Sequence, residues 1–557
     1  MSLPSTHDLN EMRRRRNKRP SWSRWVGPHP IVRWEHREGK GRIGVLVDKS
    51  RSHNWLELFF DLIFVAAAIK LATLVKHDID HGYWPAVYVA AIIWFALFNV
   101  WSTYSSMHVR FAYTDFGNRL LSFVVKVGLV FMVINVPDTL HGGNRTDYAH
   151  LASEARGFVG SLLVVTVGEV ALFVSITVER PALRLFVFMH WGLKTALTLP
   201  FYVAAFAVAG RAPETAAALV LVAQFFAPGV LCWNVWGLLY NKEAPLEDDV
   251  SGGGGGGTGA RARRPWCGKR LRDRWSRALG EHEHVPVDID HFANRLGELV
   301  MLVIGESVIG CVLPPIKHDA AHYLAVGLSF HAAFNLCLLY FDSMPHAASE
   351  HALRRDGRAG VANLALHLPL TCALLAVGMG FKLLVYDAGA RPGLAAASTL
   401  CVGAAVAVAC MLAISVTHKG LKHATRAGLP RREWARRAFR AAAILVIGLL
   451  PVLCGGLAAN GDGHRRLAGG GGHRTLSVTG AALAALLDGL LFALVLAERG
   501  FGVCAARDPE NRLRHRVLDK RPGAAADAAA AADAEEGGGG GEGGAGSGVE
   551  ATPLTRQ

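Results

Sequence analysis

The chain lacks nearly every signature by which soluble enzymes are recognised. No CxxC pair, no HExxH, no phosphate-cradling glycine loop and no nucleophile elbow occurs in its 557 residues. Thiol-redox, zinc-hydrolase, nucleotide-cradling and esterase chemistry therefore have no standard motif to rest on, and no enzyme is expected. Acids are few: 45 Asp and Glu stand against 59 Lys and Arg, a formal net charge of +14. A nucleic-acid binder could carry such a balance. The placement of the bases argues against it, because they sit in alternate loops between apolar blocks. The nine cysteines are single and mostly inside apolar blocks (Cys232, Cys311, Cys337, Cys372, Cys401, Cys410, Cys454), which reads as small buried hydrophobes rather than disulfides or zinc ligands. No cleavable signal peptide is recognised ahead of the first apolar block, which is expected to act as an uncleaved signal anchor.

What is present is apolar length. Hydrophobic residues make up 51% of the chain and its mean hydropathy is +0.27, although both ends and a central loop are polar. The apolar residues come in repeated blocks of about 20, enough at ~1.5 Å per residue to cross a bilayer. The expectation is an all-α integral membrane protein of twelve transmembrane helices, over 54–75, 83–104, 117–136, 157–178, 184–208, 216–240, 292–313, 320–342, 363–386, 394–416, 438–459 and 477–497. Residues 1–53 form a basic, disorder-prone leader with thirteen Lys and Arg. Two six-helix halves, 54–240 and 292–497, flank a Gly-rich and then basic linker, 241–291, and a disordered Ala/Gly/Glu tail closes the chain at 498–557. Loops after even-numbered spans carry Arg110, Arg180, Arg261 to Arg277, Arg354, Arg355, Arg358 and Lys419 to Arg437. By the positive-inside rule the N and C termini are both cytoplasmic. A lone sequon, at Asn144, falls in a loop that this arrangement places outside. The two halves are faintly alike and would be parallel repeats. Plasma membrane and endomembrane both remain open as the resident bilayer.

Several charges fall inside these spans: Asp61, Lys126, Glu169, Lys194, Glu306 and Asp488. Counted from the cytoplasmic helix ends, five of them lie roughly 10–15 Å deep and Glu306 about 20 Å deep. A carboxylate near the bilayer centre costs roughly 2.5–3.5 kcal/mol on insertion scales, so it needs a partner, a hydrated cavity or a function. Two readings stand side by side. In one the charges are closed bridges that fix helix packing, such as Asp61 with Lys126 and Glu169 with Lys194. In the other Asp61, Glu169 and Glu306 are proton or cation sites, with Lys126 and Lys194 as counter-charges. Glu57, with Asn54, fits a capping box. Glu57, His291, Arg295 and Glu298 are candidates for gate or helix-end roles. Gly168 before Glu169 and Gly305 before Glu306 suggest close helix approach or local unwinding. The loop EHEHVPVDIDH matches no zinc spacing, so no metal site and no cofactor is expected. His190, His331 and His367 read as interhelical hydrogen-bonders.

The stretches WLELFFDLIF and DIDHFANRLGELVMLVIGES are similar to motifs of the low temperature requirement A (LtrA) family of multi-pass membrane proteins. The first matches at Glu57 to Leu62, the second at His291, Arg295, Gly305, Glu306 and Ser307. An acid usually precedes that arginine in the family; here the position is Asn294, with Glu298 one turn on. The resemblance runs from about residue 50 to about 500 and implies a polytopic membrane protein linked to growth in the cold. Its expected partners are membrane lipids and protons or small cations, and not nucleic acid. Secondary transport or ion conduction is the first functional expectation. A non-transporting scaffold or low-temperature stress sensor is the second, and a lipid-modifying membrane enzyme the third. The sequence does not fix an oligomeric state.

Overall fold

The computed structural model describes residues 29–30, 32–37, 41–46, 55–80, 85–112, 116–140, 145–231, 285, 287–314, 318–345, 351–355, 357–386, 394–419, 436–452 and 479–506. Helix is present at each of the twelve apolar blocks. The first half contributes α1 (Trp55–Asp80), α2 (Pro85–His108), α3 (Phe116–Ile134), α4 (Arg145–Glu179), α5 (Pro181–Ala209) and α6 (Pro213–Leu231). The second contributes α7 (Ile289–Val312), α8 (Ala320–Ser343), α9 (Gly357–Tyr386), α10 (Leu394–Lys419), α11 (436–452) and α12 (Gly480–Ala506). Among the described residues nine of these helices are long and apolar enough to cross a membrane; α6, α7 and α11 are not among the nine. In α7 four charged residues, Asp290, Arg295, Glu298 and Glu306, dilute the apolar run. The chain is an integral multi-pass membrane protein.

The leader is more ordered than its basic composition suggests. Val32–Arg37 and Gly41–Leu46 form an antiparallel hairpin (β2 and β3), and His29–Pro30 (β1) pairs with Phe111–Ala112 (β4) just beyond α2. Val32 to Glu35 alternate apolar and polar residues with the period of a strand and Ile43 and Val45 stand two apart on the facing run, a local signal that the count of basic residues hides. The sequon at Asn144, the glycine-rich linker, residues 281–284 and 286 of EHEHVPVDIDH and the C-terminal tail beyond 506 lie outside the described residues.

Helix faces meet where small residues allow it. A Cβ at Gly128 would stand 2.8 Å from Val165 Cγ2, and one at Gly168 would stand 2.8 Å from Val125 Cγ2, so α3 and α4 touch at their backbones. Gly380 against Leu400 and Gly403 against Ala373 and Val377 do the same for α9 and α10. Lipid chains are as apolar as leucine, so close van der Waals contact of this kind holds such pairs together. Gly305 differs: among the described residues nothing lies within 4 Å of the Cβ it lacks. The expectation of a close approach there does not hold, and the Gly-Glu steps of α4 and α7 are alike in sequence only.

The two halves meet along α1 and α2 of the first and α7 and α9 of the second. One interhalf bond is Trp94 Nε1 to Thr371 Oγ1, 2.9 Å, with both side chains buried. Trp94→Phe removes this donor and some volume. It is expected to cost about 1–2 kcal/mol, read as a lower unfolding midpoint of the detergent-solubilised protein. An unchanged midpoint would assign the halves' attachment elsewhere.

Candidate functional site

Two helix starts face each other across the interface of the halves. On α1, Glu57 and Asp61 are four residues apart; on α7, so are His291 and Arg295. An i, i+4 spacing puts each pair on one helix face, one above the other. Asp288 caps α7, its side chain accepting from the His291 amide at 3.1 Å. The facing pairs then close as two rungs. His291 Nε2 lies 3.0 Å from Glu57 Oε2. The Arg295 guanidinium grips both oxygens of Asp61, with Nη2 to Oδ1 at 2.7 Å and Nη1 closing on Oδ2. Arg295 Nη1 also donates to Glu298 Oε2 at 2.7 Å, and its Nε lies 3.9 Å from Glu57. Trp101 of α2 donates from Nε1 to Asp61 Oδ1 at 3.2 Å, and its ring lies 5.8 Å from the guanidinium carbon. Glu57, Asp61 and Arg295 are each at most 3% exposed. A two-pronged arginine–carboxylate fork is the geometry that best repays the removal of two charges from water.

Lys126 is not the partner of Asp61. Its ammonium donates to Tyr104 Oη at 2.7 Å and to Ser122 Oγ at 2.8 Å, and it lies 4.9 Å from the centre of the Tyr104 ring. Tyr104 in turn stacks on Phe60 with ring centres 4.0 Å apart. The carboxylate whose charge acts on Lys126 is Glu57. Equal depth placed Asp61 and Lys126 together, but depth says nothing of the direction in which a side chain leaves its helix. Glu57 as a capping residue cannot be followed, since Asn54 lies outside the described residues; its carboxylate is turned to His291.

The other acids separate into isolated sites. Glu169 keeps one buried oxygen, Oε1, without a hydrogen-bond partner among the described residues, and Glu306 does the same with Oε2. Each interacts through space with one lysine, Glu169 with Lys194 and Glu306 with Lys382. Neither couple closes to an ion pair within 4.0 Å among the described residues. Lys194 donates to Thr103 Oγ1 instead, and Lys382 reaches Thr73 Oγ1 at 3.5 Å. Asp488 of α12 is bound by α8, through His331 Nδ1 at 2.8 Å and Asn335 Nδ2 at 3.0 Å. The six charges therefore do not share one axial site.

These contacts account for the four-residue spacing within each of the two motifs. The sequence model of the bacterial low temperature requirement A protein (LtrA) matches residues 52–497. The chain belongs to the LtrA family. No curated protein and no solved structure matches it. In this LtrA protein the Glu-x-x-x-Asp of the first motif and the His-x-x-x-Arg of the second are the two sides of one interhelical contact. Glu298, one turn beyond Arg295, supplies a third carboxylate to the same guanidinium. Reading the sequence overlooked Lys382, which sits near the end of α9 and looks like a lysine reaching for the interface. It also overlooked the polar role of Trp101. The signal available for the contact was the equal four-residue spacing on α1 and α7.

The LtrA bundle also forms a partly open cavity of about 1020 Å³, bounded by α1, α2, α5, α6, α9 and α10. Lys194 and His190 reach it from α5, where Phe188–Gly192 forms a π-helical turn. Such turns recur at functional sites because they re-aim side chains on an otherwise regular helix. His190 Nδ1 faces the Phe186 carbonyl at 3.2 Å, which leaves Nε2 to accept from Arg110 Nη2 at 3.5 Å. Among the described residues no group of three or more His, Cys, Asp or Glu is placed to hold a metal ion.

Proposed function

We propose that this LtrA protein is a secondary transporter or ion-conducting protein. It crosses the membrane twelve times with both termini in the cytoplasm, and Glu169 and Glu306 exchange a proton or small cation. Three acids keep a buried carboxylate oxygen without a hydrogen-bond partner among the described residues, Glu169, Glu306 and Asp342. The observation that carries this reading is that two of them, Glu169 and Glu306, one in each half, lie well inside their helices, whereas Asp342 stands at the end of α8. A buried acid left open in this way is costly unless it periodically gains a proton or an ion, and intramembrane acids that do so serve as relays. Lys194 and Lys382, near but unpaired, fit counter-charges that stabilise the unprotonated state without locking it. Asp61, Glu57, His291, Arg295 and Glu298 form the fixed point about which the halves are held, so they act as a clamp rather than as exchangeable sites.

The fully paired clamp also suits the second reading, a scaffold or stress sensor in which α1 and α7 must stay joined. Reconstitution separates the two. In proteoliposomes with an entrapped pH dye, and with Na⁺ or K⁺ gradients imposed in turn, the intact protein is expected to move protons or cations. Glu169→Gln and Glu306→Gln are expected to lower that flux to the level of empty liposomes while leaving the protein folded. Absence of flux from the intact protein, or unchanged flux in both variants, would remove transport through these acids and leave the scaffold.

A further inference from the structure

The interhalf cavity has the chemistry of a binding site that the exchange of protons or cations does not require. Along α2 its lining runs from Val87 to Ser106, which at 1.5 Å per residue is about 28 Å, close to the ~30 Å of a bilayer's hydrocarbon core. The two ends differ in character. On α2 the lining is apolar or aromatic from Val87 to Phe98, and Ser398 and Thr399 of α10 line the cavity as well. From Asn99 to Ser106 the α2 lining is polar, and Gln224 and Lys194 are bonded to that stretch through Asn99 and Thr103. Tyr88 and Val402, 72% and 49% exposed, line the apolar end, which therefore opens sideways where acyl chains would lie. Its volume is at the upper end of the roughly 300–1,000 Å³ of small-molecule sites.

Among the described residues Lys194 brings the one formal charge to this lining apart from the imidazole of His190, which is engaged by Arg110 and the Phe186 carbonyl. An ammonium has three N–H donors. Those of Lys194 meet neutral oxygens, Thr103 Oγ1 and, at 3.5 Å, the Asn99 carbonyl. No carboxylate lies within 4.0 Å among the described residues. Glu169 senses the charge through space but does not line the cavity. A cationic point at the polar end of an apolar slot complements a molecule with one negative head and a long apolar body. Phosphate heads are usually held by arginine forks or several converging donors. A single lysine suits a carboxylate.

We propose that the cavity between α2, α5, α6, α9 and α10 binds a long-chain carboxylate, its head on Lys194 and its chain lying along α2 towards Tyr88. Binding of this kind stands whether or not protons or cations move through Glu169 and Glu306.

The test uses the full-length protein in phosphatidylcholine nanodiscs, with empty nanodiscs as blank. The probe is cis-parinarate, which accepts energy from tryptophan; Trp94 and Trp191 line the cavity. Oleate is expected to displace the probe at a concentration about tenfold or more below that of oleyl alcohol, since only the carboxylate can form a charge-assisted bond. Lys194→Gln is expected to erase that difference and Lys194→Arg to keep it. Ala91→Trp, at an exposed alanine of the apolar end, is expected to weaken oleate and oleyl alcohol alike. Equal displacement by oleate and oleyl alcohol would overturn the proposal. So would displacement by dioleoylphosphatidylglycerol at oleate's concentration, or a Lys194→Gln protein that is folded by its unfolding midpoint and still prefers oleate.

Discussion

Arg295→Met is expected to destabilise the protein by about 3–5 kcal/mol, the usual cost of removing one partner from a buried ion pair. The substitution keeps much of the side chain's bulk but leaves Asp61, which is 1% exposed, without its fork. It also takes the arginine from Glu57 and Glu298. Among the described residues Trp101 Nε1 is then the donor that still reaches Asp61, while His291 stays with Glu57. The unfolding midpoint in mild detergent should fall steeply. Arg295→Lys should recover part of the loss, because an ammonium supplies the charge but not the two-pronged geometry. The informative comparison is a double-mutant cycle. Asp61→Asn with Arg295→Gln should be less damaging than Arg295→Gln alone, since the pair leaves together. Additive losses in that cycle would mean that the two residues do not act as a unit and that α1 and α7 are joined by packing alone.

Gly380→Val is expected to cost about 1–3 kcal/mol or more, the range for overpacking a closed interface. A Cβ at this position would stand 2.6 Å from Leu400 Cβ and 2.8 Å from Leu400 Cα. The backbone of α10 cannot yield as a flexible side chain would, so α9 and α10 must move apart. Both helices also wall the interhalf cavity, so its shape should change with them. Gly305→Ala is the matched control. Among the described residues nothing lies within 4 Å of the added methyl, and alanine favours helix over glycine by about 1 kcal/mol. The control should be neutral or slightly stabilising by the same midpoint measurement. Equal losses in the two variants would show that chain stiffness, not contact between α9 and α10, governs both.

The helical body could be read directly because its cause is local. Twenty apolar residues in a row must pair their own backbone groups in lipid, and a helix does that without help from the rest of the chain. The hairpin at Val32–Arg37 and Gly41–Leu46 was equally local, but its alternation was masked by the surrounding arginines. The partners of the intramembrane charges were not legible in the same way. Counting residues gives height along a helix, and by height Asp61 belongs with Lys126. Rotation about the axis and the choice of neighbouring helix decide the outcome, and they gave Asp61 to Arg295, 234 residues away.

The sequence by itself determined the class of the protein and its LtrA kinship, because those follow from apolar length and from two short motifs on α1 and α7. Tertiary structure alone decided that Glu57 and Asp61 face His291 and Arg295 and that Glu169 and Glu306 stand apart. It alone also placed Lys194 at the polar end of an apolar cavity. The reason is that a helix presents all its faces to its own sequence equally. Only packing against other helices selects which face is closed and which is left open to a ligand or an ion.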